Sequence, residues 1–523
     1  KAAAAFDTAR TSLEVARQLL PPDAWKKHYE LALDVYRLGA EAEYLTGRLD
    51  ASEQLLKTCL EEVRSPSEKA DLYYLLMLRQ SLSSQYPEAI DTARKGLKLL
   101  NFDFPSENLE ARIGEQMGWL VEWFTKNGVA SVYELPEMTD PAHLATIKIL
   151  DNLSMPTYVS GQVNLWILHV LLKVRLSLEQ GTTPETGYAF SELGLIFCIL
   201  GNYDMAFPCA DLSGKLADKF EKQSLRHKSR SLHLIANYIS PWRMHYRDTE
   251  AINEESYRCS LDSGELIFTG YTIFHPFYNR FFSGALPLRE LLEKTPSNLR
   301  FAKKIKHDLA YNSIAGMRML LRNLLDETGN ENTFEDGELD EATFLARCTE
   351  GKDFYSIGTY LVVKAKVLYL YGRPAEALAT LEQADPLLAA LSGNAAGMGT
   401  YHYTRAMVAA ALLGEVPEAQ RPALEEALQA SAEQLELWAG NCPENFEHKR
   451  LLVAAEKARL ADDESNAVRF YNLAAQSAQD AGYLHEEALA SELAARFFLS
   501  KIIPEFHSVD LMPNLKGLME LLH

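Results

Sequence analysis

Apolar side chains along this chain recur at three- and four-residue spacing, and β-branched alternation never persists, so the pattern predicts helices and almost no strand. The first helices fall at Ala3–Leu20 and Trp25–Leu45, divided by Pro21-Pro22. Proline is tolerated there because the first amide hydrogens of a helix lack partners anyway. After Gly47, the residues Leu49, Ser52, Leu56 and Cys59 alternate large and small along one helical face. The clearest pair of helices lies mid-chain, at Leu193-Gly194, Phe197, Gly201, Tyr203 and Ala206. Gly194 is small enough for close helix–helix approach, and Gly201 lets the chain turn. Tyr203 and Ala206 then pack the second helix onto the first.

That spacing is the skeleton of a tetratricopeptide repeat, an antiparallel helix pair that cannot bury its shared face alone. Weaker copies turn at Ser84-Gln85-Tyr86-Pro87, Gly372-Arg373-Pro374, Gly414-Glu415-Val416-Pro417 and Asp462. The turns lie 37 residues apart from Gly47 to Ser84, 42 from Gly372 to Gly414 and 48 from Gly414 to Asp462, so no strict 34-residue period holds. The expected fold is all-α: a tetratricopeptide-like α-α superhelix, or solenoid, of about ten to thirteen helical hairpins. Predicted loops are Asn101–Ser106, Glu134–Pro141, Gly181–Glu185, Asp326–Glu341 and Ser392–Gly399. None is a long Pro/Gly/Ser linker, so residues 1–500 read as one continuous array. The segment 501–523, with Pro504 and Pro513, loses the pattern and reads as a cap or connector.

Composition narrows the function classes. A net charge of −20 argues against a nucleic-acid partner, which needs a continuous positive face. No apolar run is long enough for membrane insertion, and no signal peptide is visible. The first residue is lysine, which suggests a piece trimmed from a longer chain. Six scattered cysteines without a C-x-x-C pair read as reduced, mostly buried thiols, and the expected compartment is cytoplasmic.

Candidate chemistry is sparse. The loop Asp326–Glu341 carries eight carboxylates, but its sixth position is Glu331 where a calcium loop needs glycine, so it reads as a solvated connector, with a partner-docking or phosphorylation-sensitive loop as the alternative. Ser392–Gly399 lacks the lysine and preceding strand of a phosphate loop and reads as a helix–helix connector. The basic runs Lys222, Arg226, His227, Lys228, Arg230 and Arg300, Lys303, Lys304, Lys306 read as solvated helix faces, with docking of an acidic partner as the alternative. No H-E-x-x-H, G-x-S-x-G or kinase motif occurs, so neither a metal nor another cofactor is expected. Tyr271, Phe274, Tyr278 and Phe281 share a helical face, in the core or lining a groove, and His275-Pro276 should kink their helix. Tyr271, Tyr278, Tyr401 and His402 are the candidate groove residues, chosen for amphipathic character at repeat-helix positions.

Several phrases together resemble a known family. They are Leu135-Pro136-Glu137-Met138-Thr139-Asp140-Pro141 with His143-Leu144-Ala145; Glu265-Leu266-x-Phe268-x-Gly270-Tyr271; and Gly337-Glu338-x-x-Glu341. Towards the end come Asn445-x-x-His448-Lys449, Glu456-x-Ala458-Arg459 and Glu486-Glu487-Ala488-Leu489-Ala490-x-Glu492-Leu493-Ala494-Ala495-x-Phe497. In combination they resemble the helical-repeat region of very large signalling proteins of cyanobacteria and other microbes. Those proteins join a Ser/Thr kinase-like domain, an AAA-type ATPase, helical repeats, a GAF domain and a histidine kinase; fungal hybrid histidine kinases are similar. The resemblance spans roughly residues 10–500 and none of the catalytic domains. It therefore implies kinase or ATPase activity only for a parent chain, and His448 is not matched to a phosphorylated histidine. His275-Pro276 departs from the family pattern.

Three functions follow as expectations. The first is a non-catalytic regulatory solenoid, coupling a protein partner or small effector to flanking kinase/ATPase domains. The second is a free-standing scaffold or adaptor. The third is an all-α enzyme, which a buried cluster of titratable groups with strongly shifted pKa values would favour.

Overall fold

The computed structural model describes residues 2–82 and 85–502. Within them the chain is helix after helix, and no strand forms; two isolated bridges join Glu137 to Thr182 and Glu335 to Asp340. The predicted loops coincide with helix–helix connections, except that the helices following Gly181 and Ser392 start inside them, at Pro184 and Ala395. No described helix is long and apolar enough to cross a membrane. The 501–523 cap or connector, beyond Ile502, lies outside the described residues, as does Ser84 of the second predicted turn.

The chain divides into two compact units, Lys1–Leu193 with Asp211–Phe220, and Gly194–Ala210 with Glu221–His523. In the first, Tyr29–Leu45 pairs with Leu49–Glu62 and Pro66–Leu82 with Tyr86–Leu99. Small residues set these pairings: Ser52 is buried and its hydroxyl donates to the Ala40 carbonyl at 2.7 Å. Leu56, Cys59 and Leu72 fill one cluster, and Ile90, Leu97, Ile147 and Leu150 another. The predicted helix Trp25–Leu45 is broken at His28 (φ −132°), giving a single turn at Ala24–Lys27 before Tyr29–Leu45. The phrase Leu135–Pro141 is a clasp. Thr182 and Met138 exchange backbone bonds with Pro136 and Thr182 (2.8 and 3.0 Å), and the Asp140 carboxylate caps the helix Pro141–Asn152 by accepting from Ala142 and His143.

In the second unit, Phe354–Leu370 packs on Pro374–Ala384, Ala395–Leu412 on Arg421–Asn441, and Pro443–Leu460 on Glu464–Ala481. Gly194 behaves as expected: a Cβ there would lie 2.8 Å from Ile239 Cδ1 and 3.2 Å from the Ala206 carbonyl oxygen. Gly201 takes φ +71° at the turn, and Tyr203 and Ala206 are buried beyond it. The helix Leu266–Ser283 continues through Pro276.

One basic run corrects the sequence reading. Lys228 and Arg230 lie on the buried helix Leu225–Leu234 instead of a solvated face. Glu265 takes Arg226 at 2.5 Å and Arg230 at 3.3 Å, while Lys228 reaches Glu255 at 2.7 Å and Glu221 at 3.2 Å. Carboxylates from the helix Glu250–Ser263 and from two helix–helix connections make that burial tolerable. Arg300, Lys303, Lys304 and Lys306 are exposed, as expected. All six cysteines are free and buried, and burial pushes the thiols of Cys59, Cys348 and Cys442 up to about 12.

Candidate functional site

Polar side chains inside the second unit gather into two networks. The first begins where the helix Leu225–Leu234 widens into a π-helical turn, Ile235–Ile239, which carries Tyr238. Such turns often mark functional positions. The Tyr238 hydroxyl lies 2.9 Å from His275 Nε2, and the Tyr355 hydroxyl 3.3 Å from the same atom. Asn394 donates to the Tyr355 hydroxyl at 2.8 Å, which leaves that hydroxyl's proton for His275. His275 Nδ1 sits 3.3 Å from the Tyr271 carbonyl, so the contacts suit a neutral ring protonated at Nδ1. Burial holds this imidazole down, to about 3. His233, also buried, stacks on Tyr271 with ring centres 5.6 Å apart, and an asparagine chain runs behind it from Asn279 through Asn237 to Asn253.

Gly270 explains its place beside Tyr271 in the sequence. A Cβ at this position would collide with the His307 ring. That ring cannot swing away cheaply: Nε2 faces the Ile267 carbonyl at 3.0 Å, and Nδ1 caps the next helix by accepting from Ala310 at 3.1 Å. Gly270→Ala is expected to cost about 2 kcal/mol, despite alanine's better helix propensity, because the cap and the packing are both disturbed. Urea denaturation of the variant against the parent measures it.

The second network centres on Asn445, which is fully buried. Its Nδ2 donates to the carbonyls of Pro241 and Met244, both at 2.9 Å, and its Oδ1 accepts from the Tyr483 hydroxyl at 2.7 Å and the Tyr246 amide at 3.3 Å. One side chain thus joins segments some 200 residues apart in sequence. Nearby, Glu486 accepts from Lys366 at 2.5 Å and Tyr403 at 2.8 Å. Burial alone would raise this carboxyl, but Lys366, His485 and Lys449 outweigh it and hold it well below the carboxylate range. Lys449 donates to the Asn445 carbonyl at 2.9 Å, lies 2.8 Å from His448 Nε2 and sits over the Tyr483 ring; burial lowers it to about 8. Burial also drives His448 far below its ordinary value, so it stays neutral. Asn445→Leu strands four polar groups in the interior, and the expected loss is about 3 kcal/mol, read by thermal and urea unfolding.

The candidate groove residues are distributed across these surroundings. Tyr271 is half-buried between the His233 and His307 rings and belongs to the first network. Tyr278 is buried and donates to the Ser313 carbonyl at 2.9 Å. Tyr401 is buried too, its hydroxyl donating to Asp385 at 2.6 Å and accepting from Arg405 at 2.7 Å. His402 is half-buried against the rings of Tyr401 and Trp438, and burial, then Arg405, lowers it to about 4. The structure therefore brings Tyr271 to the His275 network and spends the hydroxyls of Tyr278 and Tyr401 elsewhere. Asn445, Lys449 and Glu486 were not singled out as site residues, although the phrases containing them were. A polar residue at an apolar helical position is the signal they carry.

Among the described residues, no cluster of histidine, cysteine or carboxylate is placed to hold a metal ion. No protein-family model matches the chain, and no curated protein matches it.

Proposed function

We propose that this chain is a tetratricopeptide-like helical-repeat solenoid that acts as a cytoplasmic regulatory and protein-interaction segment, coupling an effector or partner to flanking kinase/ATPase domains of a signalling protein. One observation carries the reading. The phrases that resemble the repeat region of such signalling proteins include buried polar residues that join separate segments of the chain: Glu265, Asn445, Glu456 and Glu486. Directional bonds of this kind fix the rotation between successive hairpins. A change of partner at one of them alters that rotation, and small rotations add along an array. An effector works by preferring one arrangement over another.

The test is the intact mass of the native gene product, with phosphorylation and ATPase assays on that material. The expected result is a chain several times larger than this segment, with ATP-dependent phosphorylation. A native product of about this segment's 58.7 kDa without ATP chemistry overturns the coupling role and leaves a free-standing scaffold.

The cluster of Lys449, His448, His485 and Glu486 favours a second reading, an all-α enzyme, because strongly shifted titratable groups gather at active sites. Each of these side chains has a protein partner, which is also what a structural network requires. Lys449→Met separates the two: an enzyme loses turnover in the native product's own assay, whereas a structural network loses stability.

A further inference from the structure

The acidic loop between the helices Asp308–Leu324 and Glu341–Glu350 is not simply solvated. Phe334, at its centre, is 4% exposed and lies under Lys364, whose ammonium is 4.8 Å from the ring centre. Glu327 pairs with Arg289 and lies 3.7 Å from Arg322, which also donates to the Glu327 carbonyl at 3.0 Å. Asp336 faces Arg318 at 3.8 Å, and Glu341 takes Lys364 at 2.5 Å.

The loop's backbone bonds tell a different story. Asp326, Glu327, Thr333 and Asp336 donate within the loop or to the last turn of the helix preceding it. Asn323, on that same turn, donates to the carbonyls of Glu331 and Thr333. To the helix Leu288–Lys304 the loop is held by side-chain charge, and to Phe354–Leu370 by Phe334 beneath Lys364.

Two clefts flank it. One, of about 580 Å³, is lined by Arg289, Arg318, Arg322 and the loop residues Glu327 and Asp336. The other, of about 410 Å³, is lined by Lys364, Leu368, Arg373 and the loop residues Asn332 and Phe334. The loop is thus the shared wall of both clefts. Arg318 meets Asp336 as a loose ion pair at 3.8 Å on the wall of the first cleft.

We infer that the loop is an internal stand-in for a ligand. The surface beneath it is a docking groove for an acidic peptide segment with an aromatic anchor, supplied by a protein partner. The occupant's chemistry is read from what fills the groove within the chain: carboxylates against Arg289 and Arg318, and one phenyl ring beneath Lys364. Guanidinium groups favour carboxylate-rich segments, and an aromatic side chain in a desolvated slot supplies the anchoring contact. On a chain of net charge −20, an acidic partner needs such a local basic surface to dock at all. The partner competes with the loop, so docking releases the loop to solvent. This rests on the reading of the chain as a protein-interaction segment.

The test uses the full chain and a fluorescein-labelled synthetic peptide with the sequence of residues 326–340. Phe334→Ala in the chain loosens the internal occupant. Fluorescence anisotropy is expected to show the peptide binding this variant at least tenfold more tightly than the parent. Adding Arg318→Glu to the variant, or replacing the peptide's own phenylalanine by alanine, should weaken binding at least tenfold. Equal affinity for parent and variant, or indifference to Arg318→Glu, overturns the proposal. Should Phe334→Ala lose its helical circular dichroism, cleavage of the loop by a glutamate-specific protease replaces it. Arg318→Gln with Arg322→Gln in the otherwise unaltered chain is then expected to be cut at least fivefold faster within the loop, and an unchanged rate overturns the proposal. Peptide binding in a native product without ATP chemistry would keep the groove and remove only the coupling role.

Discussion

Lys173→Met is expected to destabilise the first unit by about 3–5 kcal/mol, the cost of leaving buried charge without its counter-ion. Lys173 is fully buried on the helix Val163–Gln180 and donates to Asp151 at 3.0 Å and Glu192 at 2.5 Å, with the Tyr188 ring on a further side. Both carboxylates are buried as well. Removing the ammonium leaves two carboxylates that cannot both stay ionised in that setting, and burial already holds the Glu192 carboxyl above its ordinary value. His169, one turn away, offers no rescue. Neither of its ring nitrogens has a hydrogen-bond partner among the described residues, and burial, the larger of the two effects that lower it, persists without Lys173. Replacing all three charges together (Lys173→Met, Asp151→Leu, Glu192→Met) should recover most of the loss, since well-packed apolar groups often match a buried ion cluster. Urea unfolding of the single and triple variants measures both. A single variant as stable as the parent would mean that the triad does not hold the unit together.

The second large effect is a loss of stability in mild acid. Burial lowers His275 to about 3, while burial and then Arg247 lower His245 to about 4. In the unfolded chain both rings take up a proton near pH 6.5. Between that value and the folded ones, the unfolded state binds more protons, so stability falls as pH falls and levels off only below the folded values. Each ring contributes a slope of about 1.4 kcal/mol per pH unit, and the pair should cost about 4 kcal/mol between pH 7.5 and pH 5. The slope arises because neither ring has an acid beside it to hold the proton. His275 faces Tyr238, Tyr271, Tyr355 and His233, and Asp248 near His245 is opposed by Arg247 and Lys449. Denaturation curves at pH 7.5, 6.5, 5.5 and 5.0 give the slope, and His275→Gln should flatten it by about one proton. A stability that is level from pH 7.5 to pH 5 would contradict the neutral, buried placement of both rings.

The hairpins were legible because their signals are local. Gly194, Gly201, Tyr203 and Ala206 specify a close crossing and a turn within a dozen residues, and the structure uses each in that way. Pro374 likewise opens a helix just after Gly372, and Asp463 caps the next one after Asp462. What escaped the sequence is polar residues in the interior. Lys228 reads as a solvated-face position, and nothing in the sequence marks Lys173 or Lys449 as core residues, because periodicity reports which face a residue occupies and not what will cover it. Where a helix packs on neighbours on several sides, both of its faces are covered. Lys173 becomes a core residue only when Asp151, 22 residues earlier, and Glu192, 19 later, arrive beside it. The break at His28 escaped for the opposite reason: neither glycine nor proline stands beside His28, and the one glycine of the stretch, Gly39, lies inside the unbroken helix Tyr29–Leu45.

The networks also bear on the coupling role. Asn445 fixes the connector around Pro241–Tyr246 to the helix Pro443–Leu460, and Glu486 fixes Lys366 and Tyr403, on two further helices, to Leu484–Ile502. In the coupling role we propose, exchange of such bonds as helices shift gives the segment discrete alternative arrangements. The most direct test is the rate of ATP-dependent phosphorylation by the native, untruncated gene product, parent against Asn445→Leu, at a temperature where both keep their helical circular dichroism. The expected result is phosphorylation in both, with a rate changed at least threefold by a substitution far in sequence from any kinase motif. Equal rates, or no ATP-dependent phosphorylation at all, would contradict a segment that couples.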